Sequence, residues 1–191
     1  MWLQSTLAIL ARTMRYSEFV DRLLSQEDLL KTLTPKAPLD RDLVRAVQAS
    51  SNDVLAGEKI LADAEMFALV KGGLLYALDA LPEAHAIFQD ASDDIGSYWH
   101  GMLHRRDGDF DNARYWFRRA GTLAFFSEAH RAASAHSETM ARQSNWDPYL
   151  FTGQCEQVRF GNNDLTAEMQ ALQRVEFDAI FDYCWRQSVL G

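Results

Sequence analysis

His100 and His104 stand four residues apart in the stretch HGMLHRRDGDFDNARYWFRRAG, a spacing that lets two imidazoles on one helix face share an ion. His85, in the upstream Glu83-Ala84-His85 segment, is a third candidate ligand for a divalent transition metal. HxxxH alone is weak evidence, because the zinc-protease form needs a glutamate after the first histidine and position 101 is glycine. Acid–base chemistry is a second reading, with one histidine tuned by Asp107 or Asp109. The third is the commonest fate of buried imidazoles: core histidines bonded to Tyr115, Asp109 or a backbone carbonyl. No catalytic residue is assigned by these residues, and neither a glycine-rich phosphate loop, a GxSxG elbow, a CxxC pair nor an EF-hand loop occurs.

Arg105 and Arg106 extend the same helix, beside Tyr98 and Met102. Guanidinium forks match carboxylates bidentately, so a basic and aromatic wall suits an acidic peptide or a C-terminal carboxylate. Pairing of these arginines with Asp107, Asp109 and Asp111 on a solvated face is the competing expectation.

The elements that must position these groups read as helices. Only four prolines occur, alternating β-branched runs are nearly absent, and Leu33-Thr34-Pro35-Lys36-Ala37-Pro38 is the clearest linker. Helices are expected over residues 3–14, 17–30, 40–49 and 53–78, with a turn at Leu81-Pro82. Further helices are expected over 127–142, from Asp147-Pro148 to near Gly161, and from about 163 to the end. Leu165, Met169, Leu172, Phe177, Ile180, Phe181 and Cys184 form a core-facing stripe on the last of these.

The centre of the chain repeats. Sliding it by 29 residues places Gly72 on Gly101, Leu81 on Phe110, Ala84 on Ala113, Phe88 on Phe117 and Ala91 on Ala120. Small residues recur where two helices approach closely, and large ones where the gap is filled. Gly101, Gly108, Phe110, Ala113, Phe117 and Ala120 resemble the pattern of a tetratricopeptide helix pair, whose period of about 34 is somewhat longer. That frame puts Tyr98, Met102, Arg105 and Arg106 on a concave ligand-binding wall. It also puts His100 and His104 where bulky apolar groups normally stand, which is costly unless each ring nitrogen is bonded.

Three signatures together resemble a family of uncharacterised bacterial and fungal helical proteins. They are the HxxxHRR(D/E)xDxxNAxYWxRR motif, Trp146-Asp147-Pro148 running to Cys155-Glu156, and Leu172-Gln173-Arg174-Val175-Glu176 followed by Phe181-Asp182-Tyr183-Cys184. They cover residues from about 70 to 187. The resemblance implies a fold and a candidate surface, with no assigned activity. The family usually carries glutamate at Asp107 and often histidine at Tyr183; the tyrosine here weakens a metal scheme that recruits the last helix.

The reading is an all-α protein of antiparallel helical hairpins forming a TPR-like α–α superhelix in a single compact domain. Its parts are N-terminal helices at 3–34, two helix pairs at 53–121 and C-terminal helices at 127–188. At 191 residues the chain can bury about 70% of its unfolded surface without staples. The net charge of −8 disfavours nucleic acid and anionic membrane as partners. Cys155 and Cys184 read as buried thiols, and the short apolar run Leu7–Ala11 lacks a basic leader and cannot span a bilayer, so a cytoplasmic protein is expected. The leading functional expectation is a scaffold or adaptor without a cofactor, contacting a protein or acidic peptide through Tyr98, Met102, Arg105 and Arg106, with His100 and His104 shaping the groove. The alternative is a metal-dependent or acid–base enzyme built on His85, His100 and His104. A third is a subunit of a homo-oligomer held by exposed aromatics.

Overall fold

A computed structural model describes residues 15–190, so the helix expected over residues 3–14 lies outside the described residues. The described chain has eleven α-helices and one two-stranded ribbon. The first helices are α1 (Glu18–Leu24), α2 (Arg41–Ala49) and α3 (Asn52–Ala56), followed by strand β1 (Ile60–Leu61). The central hairpins are α4 (Ala64–Ala77) with α5 (Leu81–Phe88), and α6 (Asp94–Asp107) with α7 (Phe110–Ala120). Then come α8 (Phe126–Ala133), α9 (Glu138–Ala141), α10 (Pro148–Arg159), α11 (Thr166–Ser188) and strand β2 (Val189–Leu190). None of the described helices is long and apolar enough to cross a membrane.

Local chemistry sets the helix ends. Asp63, Asp93 and Asp147 each accept hydrogen bonds from first-turn amides of α4, α6 and α10. Gly108, at φ 88°, closes α6 in the left-handed conformation that a side chain resists, and Asp109 opens α7 directly after it. Three expected helices are shorter or divided. The first ends at Leu24, capped by Ser25. The helix expected over 53–78 breaks at Gly57, whose φ of 66° turns the chain into β1 before Asp63 restarts it. The one expected over 127–142 splits at Ser134–Ser137, where Ser137 caps α9.

The two central hairpins share one packing register. A methyl group on Gly72 would lie 2.5 Å from the Phe88 ring, and one on Gly101 would lie 2.6 Å from the Phe117 ring. The glycines thus let each ring lie against the opposing backbone, and the 29-residue offset has a physical basis. The hairpins do not leave an open inner wall, however. The long helix α11 lies across the inner faces of α4 and α6: Phe177 stacks on Tyr76 with centroids 6.1 Å apart, and the Trp99 indole N–H donates to Cys184 Sγ at 3.4 Å. Met169, Leu172, Phe177, Ile180, Phe181 and Cys184 are buried as their spacing predicts, while Leu165 is half-buried. Both cysteines are buried free thiols. After α11, β2 pairs antiparallel with β1, matching Ile60 to Leu190. The sequence reading held no strand there.

The glycine contacts yield a paired prediction. Gly101→Ala is expected to cost about 1–3 kcal/mol by overpacking the Phe117 contact. Gly153→Ala, in α10 with nothing within 4 Å, should gain about 0.5–1 kcal/mol. Urea unfolding of both variants checks this, and equal effects would contradict the proposed register.

Candidate metal centre

The expected ligand groove is not a surface. Tyr98, Met102 and Arg106 have no exposure and Arg105 has 2%. Arg105 faces α11, where its guanidinium grips both carboxylate oxygens of Glu176, with Nη1 donating to Oε1 at 3.1 Å. Its Cζ sits 4.2 Å from the Phe151 ring centroid. Tyr98 donates its hydroxyl proton to Glu176 Oε1 at 2.8 Å, and Trp146 Nε1–H donates to the Tyr98 oxygen at 2.7 Å. Burial alone would lower the Arg105 pKa, but Glu176 together with Tyr76 and Cys155 more than offsets it and the net direction is upward. Arg106 donates to the carbonyls of Tyr76 at 2.7 Å and Thr32 at 2.9 Å and pairs with Asp79. Burial raises the Asp79 pKa against the opposing pull of Arg106.

These contacts correct the sequence reading on two points. Neither arginine pairs with Asp107, Asp109 or Asp111, and neither can reach an incoming peptide. The carboxylate that Arg105 recognises belongs to this chain, 71 positions away. One signal for it existed: Gln173 and Glu176 interrupt the apolar stripe between Leu172 and Phe177, and polar groups inside a buried stripe require partners.

On its other side, facing α5 and α7, α6 carries the histidines. The candidate ligand nitrogens of His85, His100 and His104 all lie within 4.8 Å of one another. His100 Nε2 is 3.0 Å from His85 Nε2, and the His100 and His104 rings stack with centroids 4.8 Å apart. Trp116 of α7 stacks on His100 at 4.0 Å, with Arg119 over the Trp116 ring at 5.5 Å. The offset of 29 aligns His104 with Leu75, a buried leucine of α4, so an imidazole stands where the first hairpin keeps hydrocarbon.

His100 is 4% exposed, whereas His85 and His104 are half-buried. Burial, followed by His104 and His85, pushes the His100 pKa down to about 4. Burial also lowers that of His104, against the raising effect of Asp109. Both are therefore neutral at pH 7, the form that binds metals. The expected partners differ as well. Tyr115 is half exposed and makes no bond to either ring, and Asp109 accepts the backbone N–H of Asn112 at 3.2 Å. The Asn112 side chain meets His104 instead, while His100 Nδ1 is buried without a partner among the described residues.

Two ligand nitrogens on one tetrahedral ion are about 3.3 Å apart, given metal–nitrogen bonds near 2 Å. The His85–His100 nitrogen pair stands at 3.0 Å, close to that separation, and the widest spacing in the group stays within 4.8 Å. The group includes neither carboxylate nor thiolate, and an all-imidazole donor set suits zinc, copper, nickel or iron rather than calcium or magnesium. A cleft of about 690 Å³ lies elsewhere, between Tyr16–Arg22 and Val54–Lys59. No family model, curated protein or solved structure matches the chain.

Two measurements test this subsection. Arg105→Met should cost about 3–5 kcal/mol by stranding the Glu176 charge, and adding Glu176→Leu should recover most of it. A double variant as unstable as the single one would show that Arg105 does not act through that charge. For His100, the unfolded chain takes up a proton near the ordinary 6.5 while the folded, metal-free chain does so only at about 4. Stability should therefore fall as the pH drops from about 6.5 to about 4, by at most about 3.4 kcal/mol, and level off below. His100→Gln should remove that part of the slope in pH-dependent denaturation.

Proposed function

We propose that this protein binds a divalent transition-metal ion through His85, His100 and His104. The supporting observation is the convergence of three imidazole nitrogens within 4.8 Å, with the most buried ring held neutral. The site joins the two hairpins, because His85 comes from α5 and the other two histidines from α6. Three nitrogen ligands would leave a tetrahedral ion one coordination position for water, and two of the three histidines, His85 and His104, are half-buried. A doubly charged ion in such a set lowers the pKa of bound water toward neutrality, which makes metal-assisted hydrolysis the reaction class the donor set favours.

The test is cobalt titration of the purified metal-free chain, read by visible d–d absorption and thermal unfolding. One cobalt per chain is expected, with lost or strongly weakened binding in His85→Ala, His100→Ala and His104→Ala. Metal at a hundredfold excess over Kd should stabilise the wild type by about 2.7 kcal/mol. Absence of cobalt uptake by the folded wild-type chain would overturn the reading.

A further inference from the structure

We infer that α10 carries a self-complementary surface through which two copies of this chain form a two-fold symmetric dimer. The Phe160 ring of each copy enters a cavity at the start of the other's α10. None of the three histidines takes part, so the dimer is independent of the metal reading above.

Glycine inside a helix weakens it relative to alanine, so its presence there calls for a reason. Gly57, Gly108, Gly121 and Gly161 have positive φ. A methyl group on Gly72, Gly73, Gly96 or Gly101 would come within 3.0 Å of another side chain. Gly153 has neither reason among the described residues: it lies inside α10, and a methyl group there would meet nothing within 4 Å. What it does provide is bare backbone on the outside of the helix, where a second helix can approach closely.

Tyr149, Gly153, Gln157 and the C-cap residue Phe160 lie at spacings of four, four and three, on one face that is exposed or half-buried throughout. Phe160 is 79% exposed. A single exposed phenyl ring needs no explanation, but this one has a counterpart. At the amino end of α10 a cavity of about 360 Å³ opens beside Phe126, Trp146, Pro148 and Tyr149. About 150 Å³ already holds a benzene ring, so the cavity takes a phenyl side chain. Knob and cavity are equidistant from Gly153: Phe160 stands seven positions after it and Trp146 seven before it.

A two-fold axis through Gly153 makes these features meet. In an antiparallel crossing centred there, each residue faces the partner's residue an equal number of positions on the other side of Gly153. Phe160 then faces the partner's Trp146 at the mouth of the cavity, and Gln157 faces the partner's Tyr149. The exposed Arg159 faces the partner's Asp147. Asp147 gives Oδ1 to the amides of Tyr149 and Leu150, which leaves Oδ2 to accept from that guanidinium. Opposite charges at mirrored positions favour this orientation, whereas a parallel pairing would set Arg159 against itself.

The experiment is sedimentation equilibrium of the metal-free chain over a range of concentrations. The wild type should show a monomer–dimer equilibrium, and Phe160→Ser, which leaves the core untouched, should weaken it at least about 10-fold. Gly153→Ala separates association from folding. Its methyl group should stabilise the dilute monomer, as predicted above, yet weaken the dimer at least about 10-fold by overpacking the crossing. Gly153→Cys tests the axis: under mild oxidation it should link two copies, whereas a control cysteine at exposed Asp42 of α2 should not. A wild type still monomeric at about 1 mM overturns the inference. So does a dimer that Phe160→Ser and Gly153→Ala leave unchanged, which would place the contact on another face. Equal linking of the two cysteine variants overturns it as well, because the axis would not pass through Gly153.

Discussion

The buried pair between Arg105 and Glu176 is the interaction on which the arrangement of helices turns. Two opposite charges with almost no exposure are tolerable only when every polar atom between them is matched. The bidentate grip, the Tyr98 hydroxyl and the Trp146 indole provide that match and join α6, the segment leading into α10, and α11 at one point. Hydrocarbon contacts alone would let α11 slide along the inner faces of the hairpins. A directional charge pair fixes its register. The second buried pair, Arg106 with Asp79, works alongside it by gathering the Tyr76 and Thr32 carbonyls, and Gln173 of α11 donates to Leu30 and Thr32 from the other side.

With one side of α6 committed to α11, its opposite side is free to depart from core chemistry. His104 takes the position of a leucine, and His100 lies beneath Trp116 with one nitrogen unsatisfied among the described residues. An unsatisfied buried nitrogen costs about 1–3 kcal/mol, and the ring stacking offsets only part of that. Departures from packing rules of this kind gather where a chain gives up stability for another role. The two sides are thus complementary: cohesion comes from the charge pair and the aromatic core, and the seam with α5 and α7 carries the anomaly.

Much of the fold was legible in the sequence because it is encoded locally. Asp147-Pro148, Gly108-Asp109 and Gly161 mark helix ends by capping and by tolerance of positive φ, each through residues a few positions apart. The repeat was legible because Gly72 and Gly101 face equivalent rings. Glu176 was not, since nothing in a linear reading tells which of many carboxylates will meet Arg105. The groove was therefore assigned to an outside ligand when the chain fills it with its own helix. Similarly, the three histidines could be grouped by type and spacing, but the stacking of Trp116 on His100 and the meeting of Asn112 with His104 are set by how α6 pairs with α7. Asn112 was within reach of the sequence: the Gly108-Asp109 turn places it opposite His104.

The position of α11 also bears on biosynthesis. It emerges from the ribosome after both hairpins, yet it covers the faces carrying Tyr76, Trp99 and Arg105. Until the last helix is translated, those faces remain open to water and to neighbouring nascent chains. The hairpins can coil early because their contacts are local, but burial of the guanidinium must wait for Glu176. The last helix is therefore the cover of the fold, and truncation upstream of it would uncover that apolar surface rather than leave a smaller domain.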